Sequence, residues 1–308
     1  MRKFFLLIVL SFNITSAFTQ DININIDSVK PKTKEVAVLF SGMRVINQYS
    51  TEMIKHGMLE FRVVHNFGDI AGSNGGSKTF FGLDNSTDVQ IGFAYGISDK
   101  VNVIASRAKG WGGLNQLWHA GLRWKILEQF EKDNSHPIAL SFYGNTVIST
   151  MKKTAITGFE NSFTSFGDRM SYVAQLTAGR KFGKISLQVS PTYVRRNLVQ
   201  TGDDNDMFAV GAALRFPIKK NFHILVDYIQ PFRSQTSRDY FKARGIKFYA
   251  PLGIGAEITT AGHIFHLNFT NAEATFENQL IPFTIKSWGR GEFRWGFNLS
   301  RLFAIVRK

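Results

Sequence analysis

The lengths of the connections between its short alternating runs constrain this chain more than any other feature. From about residue 56 onward, runs of period-two apolar/polar alternation are joined by connections that go long, short, long, short. An outer-membrane β-barrel gives this pattern, because its hairpins close with tight turns on the periplasmic side and open into longer loops outside the cell. A soluble sandwich also alternates, with its apolar face inward, so parity alone leaves the choice between them open.

The N-terminus tips the choice. Met1, Arg2 and Lys3 form a positive region, Phe4 to Phe12 an apolar one, and Thr15, Ser16 and Ala17 a small-residue cleavage site. Residues 1–17 therefore read as a signal peptide, cut after Ala17. The apolar run is too short to span a bilayer as a helix, and no later stretch approaches the roughly 20 apolar residues that a spanning helix needs. The exported chain is either soluble or spans as strands. Cysteine is absent, which excludes a lipid-modified terminus, disulfides and thiolate metal sites.

A formal net charge of +14 points to anionic counterparts. Export removes the opportunity to meet nucleic acid, so outer-membrane lipid, lipopolysaccharide and small anionic solutes are the expected partners.

Residues 18–55 differ in character. Asp21 to Asp27 alternate Asp and Asn with isoleucine, a basic stretch follows at residues 30–34, and then comes Phe40-Ser41-Gly42-Met43-Arg44-Val45. Two readings fit: a flexible periplasmic tail, or a partial plug in which Phe40 to Gln48 folds into the barrel mouth. Residues 56–308 are the barrel. Strands are expected around Phe61, Phe93, Val101–Ala108, Trp118–Ile126, Phe142, Leu176, Val189, Val210, Val226, Ile254, Leu267 and Phe297, about twelve in all. An even count suits a bacterial single-chain barrel. Trp118, Trp124, Tyr143, Tyr172, Tyr193, Tyr228 and Trp295 are candidates for the interfacial aromatic girdles.

Four segments, in order, carry a resemblance. They are Phe80-Phe81-Gly82-Leu83-Asp84-Asn85, Pro191-Thr192-Tyr193-Val194-Arg195-Arg196-Asn197, Gly262 to Asn271, and Gly296-Phe297-Asn298-Leu299-Ser300-Arg301. Together they resemble an uncharacterised family of outer-membrane β-barrel proteins from Bacteroidota, a domain of unknown function. The resemblance covers the mature chain and implies a barrel in the outer membrane of a Gram-negative bacterium, with no activity to carry over. One departure is the ending Phe303-Ala304-Ile305-Val306-Arg307-Lys308, where the usual terminal aromatic is internal.

Taking the polar parity as inward, the lumen would hold Glu60, Arg62, His119, Arg123, Lys125, Lys181, Arg215, Asp227, Glu257, His266 and Arg294. These could fill the interior as an ion-pair network, or line a water-filled path whose basic excess favours anions. A hydrolase site has less support. His119, His266 and Ser300 share inward parity, but there is no Gly-x-Ser-x-Gly elbow or His-Glu-x-x-His. His263 and His266 face opposite sides of their strand. Gly72-Ser73-Asn74-Gly75-Gly76-Ser77 lacks the strand-to-helix context of a phosphate loop, and Asp203, Asp204 and Asp206 lack the spacing of a calcium loop. A basic, aromatic loop with Arg233, Arg238, Tyr240, Phe241, Lys242, Arg244 and Lys247 would meet lipopolysaccharide phosphates.

The reading is an all-β antiparallel transmembrane barrel of about twelve strands with long extracellular loops. It is expected to be a channel or transport accessory for small solutes, with a leaning toward anionic ones, not an enzyme, with no cofactor or metal. The alternative is a closed structural or adhesin-like barrel whose outer loops bind a partner or envelope lipid; an outer-membrane hydrolase comes third.

Overall fold

A computed structural model describes residues 35–131 and 134–306. The signal peptide and the Asp21 to Asp27 stretch lie outside the described residues. Twelve antiparallel strands close into a barrel in which β1 pairs with β12 and every other strand pairs with its sequence neighbours. The strands are β1 Met58–Asp69, β2 Ser86–Gly96, β3 Val101–Trp111, β4 Leu114–Leu127, β5 Ala139–Ser149 and β6 Met170–Phe182. They continue as β7 Ile185–Arg196, β8 Asp206–Lys219, β9 Phe222–Phe232, β10 Leu252–Thr259, β11 His263–Thr270 and β12 Arg294–Ala304. Closure leaves no unpaired edge, as a strand fold in lipid requires.

The ladder breaks where the sequence dictates. Pro191 has no N–H to give, and the β6–β7 pairing skips from Gln175↔Thr192 to Ala178↔Val189 around it. Pro217 sits at the register shift of β8 against β9.

Parity resolves the choice left open above. On β4, Trp118, Leu122 and Trp124 are about half exposed, while His119 and Arg123 between them are buried. The same inversion runs round the wall, from Ile91 and Phe93 to Phe208, Ile258 and Leu267. In water each large apolar side chain left exposed forgoes about 1.5–3 kcal/mol of burial, so this outer face suits lipid. Trp118, Trp124, Tyr172, Tyr193, Tyr228 and Trp295 fall on it. Tyr143 does not: it is buried on the inward parity of β5, with its hydroxyl 2.8 Å from His119 Nε2. An amphipathic ring serves either face, and here the polar partner is inside.

The loop pattern has two exceptions. On the long-loop rim, β3 and β4 join through Gly112 and Gly113 alone. On the turn rim, β4 and β5 are separated by residues 128–138, and this connection grips the entering chain: Ala37 N–H donates to Gln129, and Glu131 N–H to Glu35.

The core of the molecule is inside the barrel. Met43, Tyr49 and Ile54 pack with Tyr143, Val173, Ile229, Ala272, Leu280 and Ile281, and nearer the turn rim Leu39, Phe40, Val45 and Ile46 pack with Leu225.

Candidate functional site: a lumen filled from both rims

Residues 36–57 enter the barrel as a hairpin. Val36 bridges to Phe130 on the turn rim, the chain reverses at Val45 to Gln48, and Arg44 bridges to Tyr49 on the way back. Ile54 then meets Asn102, which takes its N–H and returns a bond to its carbonyl, both at 2.9 Å. Gly57 N–H donates to Gly96 at the same rim. Both ends of the hairpin therefore lie on one side of the barrel.

Polar contacts add to its apolar packing in attaching the hairpin to the wall. Asp227 on β9 accepts from Ile46 N at 3.1 Å, Asn47 N at 2.6 Å and Asn47 Nδ2 at 2.7 Å. Arg123 on β4 donates to the carbonyls of Glu52 and Ser50, and its guanidinium lies 5.1 Å from the centre of the Tyr49 ring. Gln188 on β7 donates to the Tyr49 carbonyl at 2.9 Å. The wall makes room for this. A Cβ on Gly179 would stand 2.7 Å from Leu39, one on Gly211 2.5 Å from Gln48, and one on Gly253 2.8 Å from both Ile46 and Asn47. Glycine at these positions permits the close approach.

The connection between β11 and β12 folds in from the opposite rim. Residues 271–278 are buried, and a short helix, Glu277–Leu280, packs inside. Asp88 on β2 holds this segment, accepting from Thr275 N at 2.8 Å and Thr275 Oγ1 at 2.7 Å. Hairpin and loop meet at Arg44, which donates to the Thr275 carbonyl and stands 3.2 Å from Glu277 Oε1. Neither carboxylate oxygen of Glu277 has an aligned hydrogen bond, so the contact is an ion contact only. Burial pushes the Glu277 carboxyl above its ordinary range, against the pull of Arg44. Burial likewise raises Glu273 to about 7, although Arg294 and Lys286 oppose the rise.

All the lumen residues expected from parity face inward, but they form separate clusters, not one ring. Glu60 pairs with Arg62. His119 contacts Ser106 Oγ at 3.0 Å and Tyr143, and Lys125 is buried nearby in sequence on β4. Glu257 on β10 gathers Arg215 at 3.0 Å, His266 at 3.1 Å, His223 at 3.2 Å and Ser41 of the hairpin at 2.6 Å. Arg294 pairs with Asp69 at 2.7 Å, and Lys181 with Glu131 at the turn rim. Ser300 is buried on β12, opposite Ile264, while His266 lies opposite Asn298. Sequence reasoning missed Glu277, Glu273 and Asp88, and reached Arg44 and Asn47 only through the alternative of a partial plug over Phe40 to Gln48. Their partners are far away in the chain.

The basic, aromatic loop divides. Its helix α1, Gln235–Lys242, is capped by the Ser234 side chain, and Arg238, Lys242, Arg244 and Lys247 are exposed, with Arg244 over Tyr240 at 3.5 Å. Arg233 and Phe241 belong to the interior of the loop instead: Arg233 pairs with Asp203 and lies 3.7 Å over Phe248. The acidic triplet is satisfied by protein groups. Asp203 also takes Arg196, Asp204 accepts from Ser234, and Asp206 takes Arg195 and Tyr193. Among the described residues, no group of carboxylates and histidines has the arrangement to hold a metal ion.

A family model described as a membrane-bound beta barrel domain, DUF5777, matches residues 40–303. No curated protein matches the sequence. Among solved structures, the chain is similar to the NanC porin at 6% identity, covering 80% of this chain and 100% of that one, with a TM-score of 0.44. It is similar to the KdgM porin at 5% identity, covering 80% and 99%, with a TM-score of 0.44. LpxR from Salmonella typhimurium matches at 12% identity, covering 80% and 99%, with a TM-score of 0.35.

Proposed function

Because the chain belongs to the DUF5777 family of membrane-bound β-barrel domains, we propose that it is a gated outer-membrane channel for small solutes, with a preference for anions. The Bacteroidota source implied by its motifs is part of the same proposal. The observation that carries the reading is how the hairpin is held. Its ends both lie on the turn rim, so it can leave without threading the barrel, and beside its apolar packing its tip and return limb are tied by hydrogen bonds that water can replace. The net contribution of each such bond to a charged group is about 1.5–3 kcal/mol.

Withdrawal would uncover Arg62, Arg123, Lys125 and Arg215 against Glu60, Asp227 and Glu257 on the wall, while Arg294 stays paired with Asp69. A basic excess of this kind favours anions in a water-filled pore. No catalytic role is proposed, since His266 directs its two ring nitrogens at Glu257 and Asn298. The test is the reversal potential of the open channel in a salt gradient. Anion preference that falls in R123Q and R215Q supports the reading; cation preference would sink it.

The inward fold of residues 271–293 favours a second reading, a closed barrel that acts through its outer loops. The exposed Arg238, Lys242, Arg244 and Lys247 would then contact lipopolysaccharide phosphates or a partner. Deleting the exposed helix α1 separates the two: conduction survives it only if the lumen is the path.

A further inference from the structure

The lipid-facing side of β2, β3 and β4 carries a groove with no part in closing the lumen. Phe93, Ala105 and Ala120 are neighbours across these strands, and Ile91, Arg107 and Trp118 form the next rung toward the long-loop rim. Ala105, between the bulk of Phe93 and Trp118, lines a trough of about 590 Å³ together with Val89, Ile91, Arg107 and Lys109, and Ala120 adjoins it across the ladder.

Cations stand at the upper end of this trough. The Arg107 guanidinium lies 5.3 Å from the Trp118 ring centre, and Lys109, two residues on, donates to the carbonyls of Ser86 at 2.8 Å and Thr87 at 3.1 Å. Those carbonyls orient the ammonium without neutralising it. Among the described residues, neither cation meets a carboxylate. Charged side chains on the lipid face of a barrel are tolerated near an interface and disfavoured at the midplane, and Trp is enriched at that interface. Directly above, the β3–β4 hairpin turns through Gly112 and Gly113, so this stretch of the rim has no loop of its own.

We propose that this groove is a docking site for a phosphate-bearing acyl lipid of the outer leaflet. Arg107 and Lys109 hold the phosphate, and an acyl chain lies along Ala105 and Ala120. Charge complementarity selects this occupant over a second copy of the chain, because a two-fold contact through the groove would bring Arg107 and Lys109 of both copies together.

The test is native mass spectrometry of the refolded full-length mature protein in detergent, titrated with lipid A and with lipid A stripped of its phosphates. Two basic charges at an anionic surface, each contributing roughly fivefold, predict about a twenty-five-fold loss of lipid A binding in R107Q/K109Q. Phosphate-free lipid A should bind the unaltered protein about as weakly, and A105L/A120L, which fills the trough and keeps both charges, should also bind lipid A less. K152Q/K153Q, which removes two exposed loop charges, should bind normally. The proposal is overturned if either groove variant, folded as judged by heat-modifiable mobility, retains wild-type lipid A binding, or if R107Q/K109Q abolishes a dimer instead.

Discussion

Arg44 Nη1 and Glu277 Oε1 stand 3.2 Å apart, both buried, and join the segment that fills the barrel from one rim to the segment that fills it from the other. Each is the main charged partner of its counterpart. The stability of one filling segment thus depends on the presence of the other.

Removing one partner should be much worse than removing both. R44M leaves the Glu277 carboxylate buried and unpaired, a change that typically costs about 3–5 kcal/mol. The expected result is faster hydrogen exchange across residues 272–281 in R44M, largely restored in R44M/E277L. Equal exchange in the single and double variants would deny the coupling.

The closed state should depend on pH in a defined direction. Burial raises Glu273 from the ordinary 4.5 to about 7, with Arg294 and Lys286 pulling it down and Asp69 pushing it up. A carboxyl raised in the folded state favours that state below its ordinary value and withdraws the support as pH rises through the raised one. The effect is on the order of 3 kcal/mol between pH 4.5 and 7. Exchange of residues 272–281, corrected for intrinsic rates, should therefore be slower at pH 5 than at pH 8. E273Q should reduce the difference, leaving the part supplied by Glu277, which burial also raises.

The tip of the hairpin hangs on one carboxylate. D227A removes the acceptor for Ile46 N, Asn47 N and Asn47 Nδ2. Each buried donor left unpaired costs about 1–3 kcal/mol. Backbone amide exchange at Ile46 and Asn47 should accelerate by at least tenfold while the β1–β12 ladder stays protected.

Filling the cradle should have the same effect by steric means. A Cβ on Gly253 would lie 2.8 Å from Ile46 Cγ2 and 2.7 Å from Asp227 Oδ1. G253V should insert as a normal barrel but conduct more than the wild type.

The wall was legible in the sequence because a strand has a strict period of two: once one face is apolar, Glu60, Arg62, Arg123, Asp227 and Arg294 have nowhere to point but inward. The filling segments carry no such period. Phe40 to Gln48 fits a tail as well as a plug until Asp227, some 180 positions away, is seen to hold it. Residues 271–293 read as an outer loop for the same reason, although Glu273 and Glu277 interrupting an apolar stretch, and glycines at the inward positions 179, 211 and 253, were signals of something packed inside. Tyr143 misled because an aromatic with a hydroxyl suits both an interface and a polar lumen.

If the hairpin is a removable seal, planar-bilayer conductance should separate the refolded mature chain from a variant that begins at Lys55, both at pH 8. The expected result is a quiet wild type with brief openings, and steady, anion-preferring conductance once the hairpin is gone. A correctly inserted truncated barrel as silent as the full chain would mean that the hairpin is no seal.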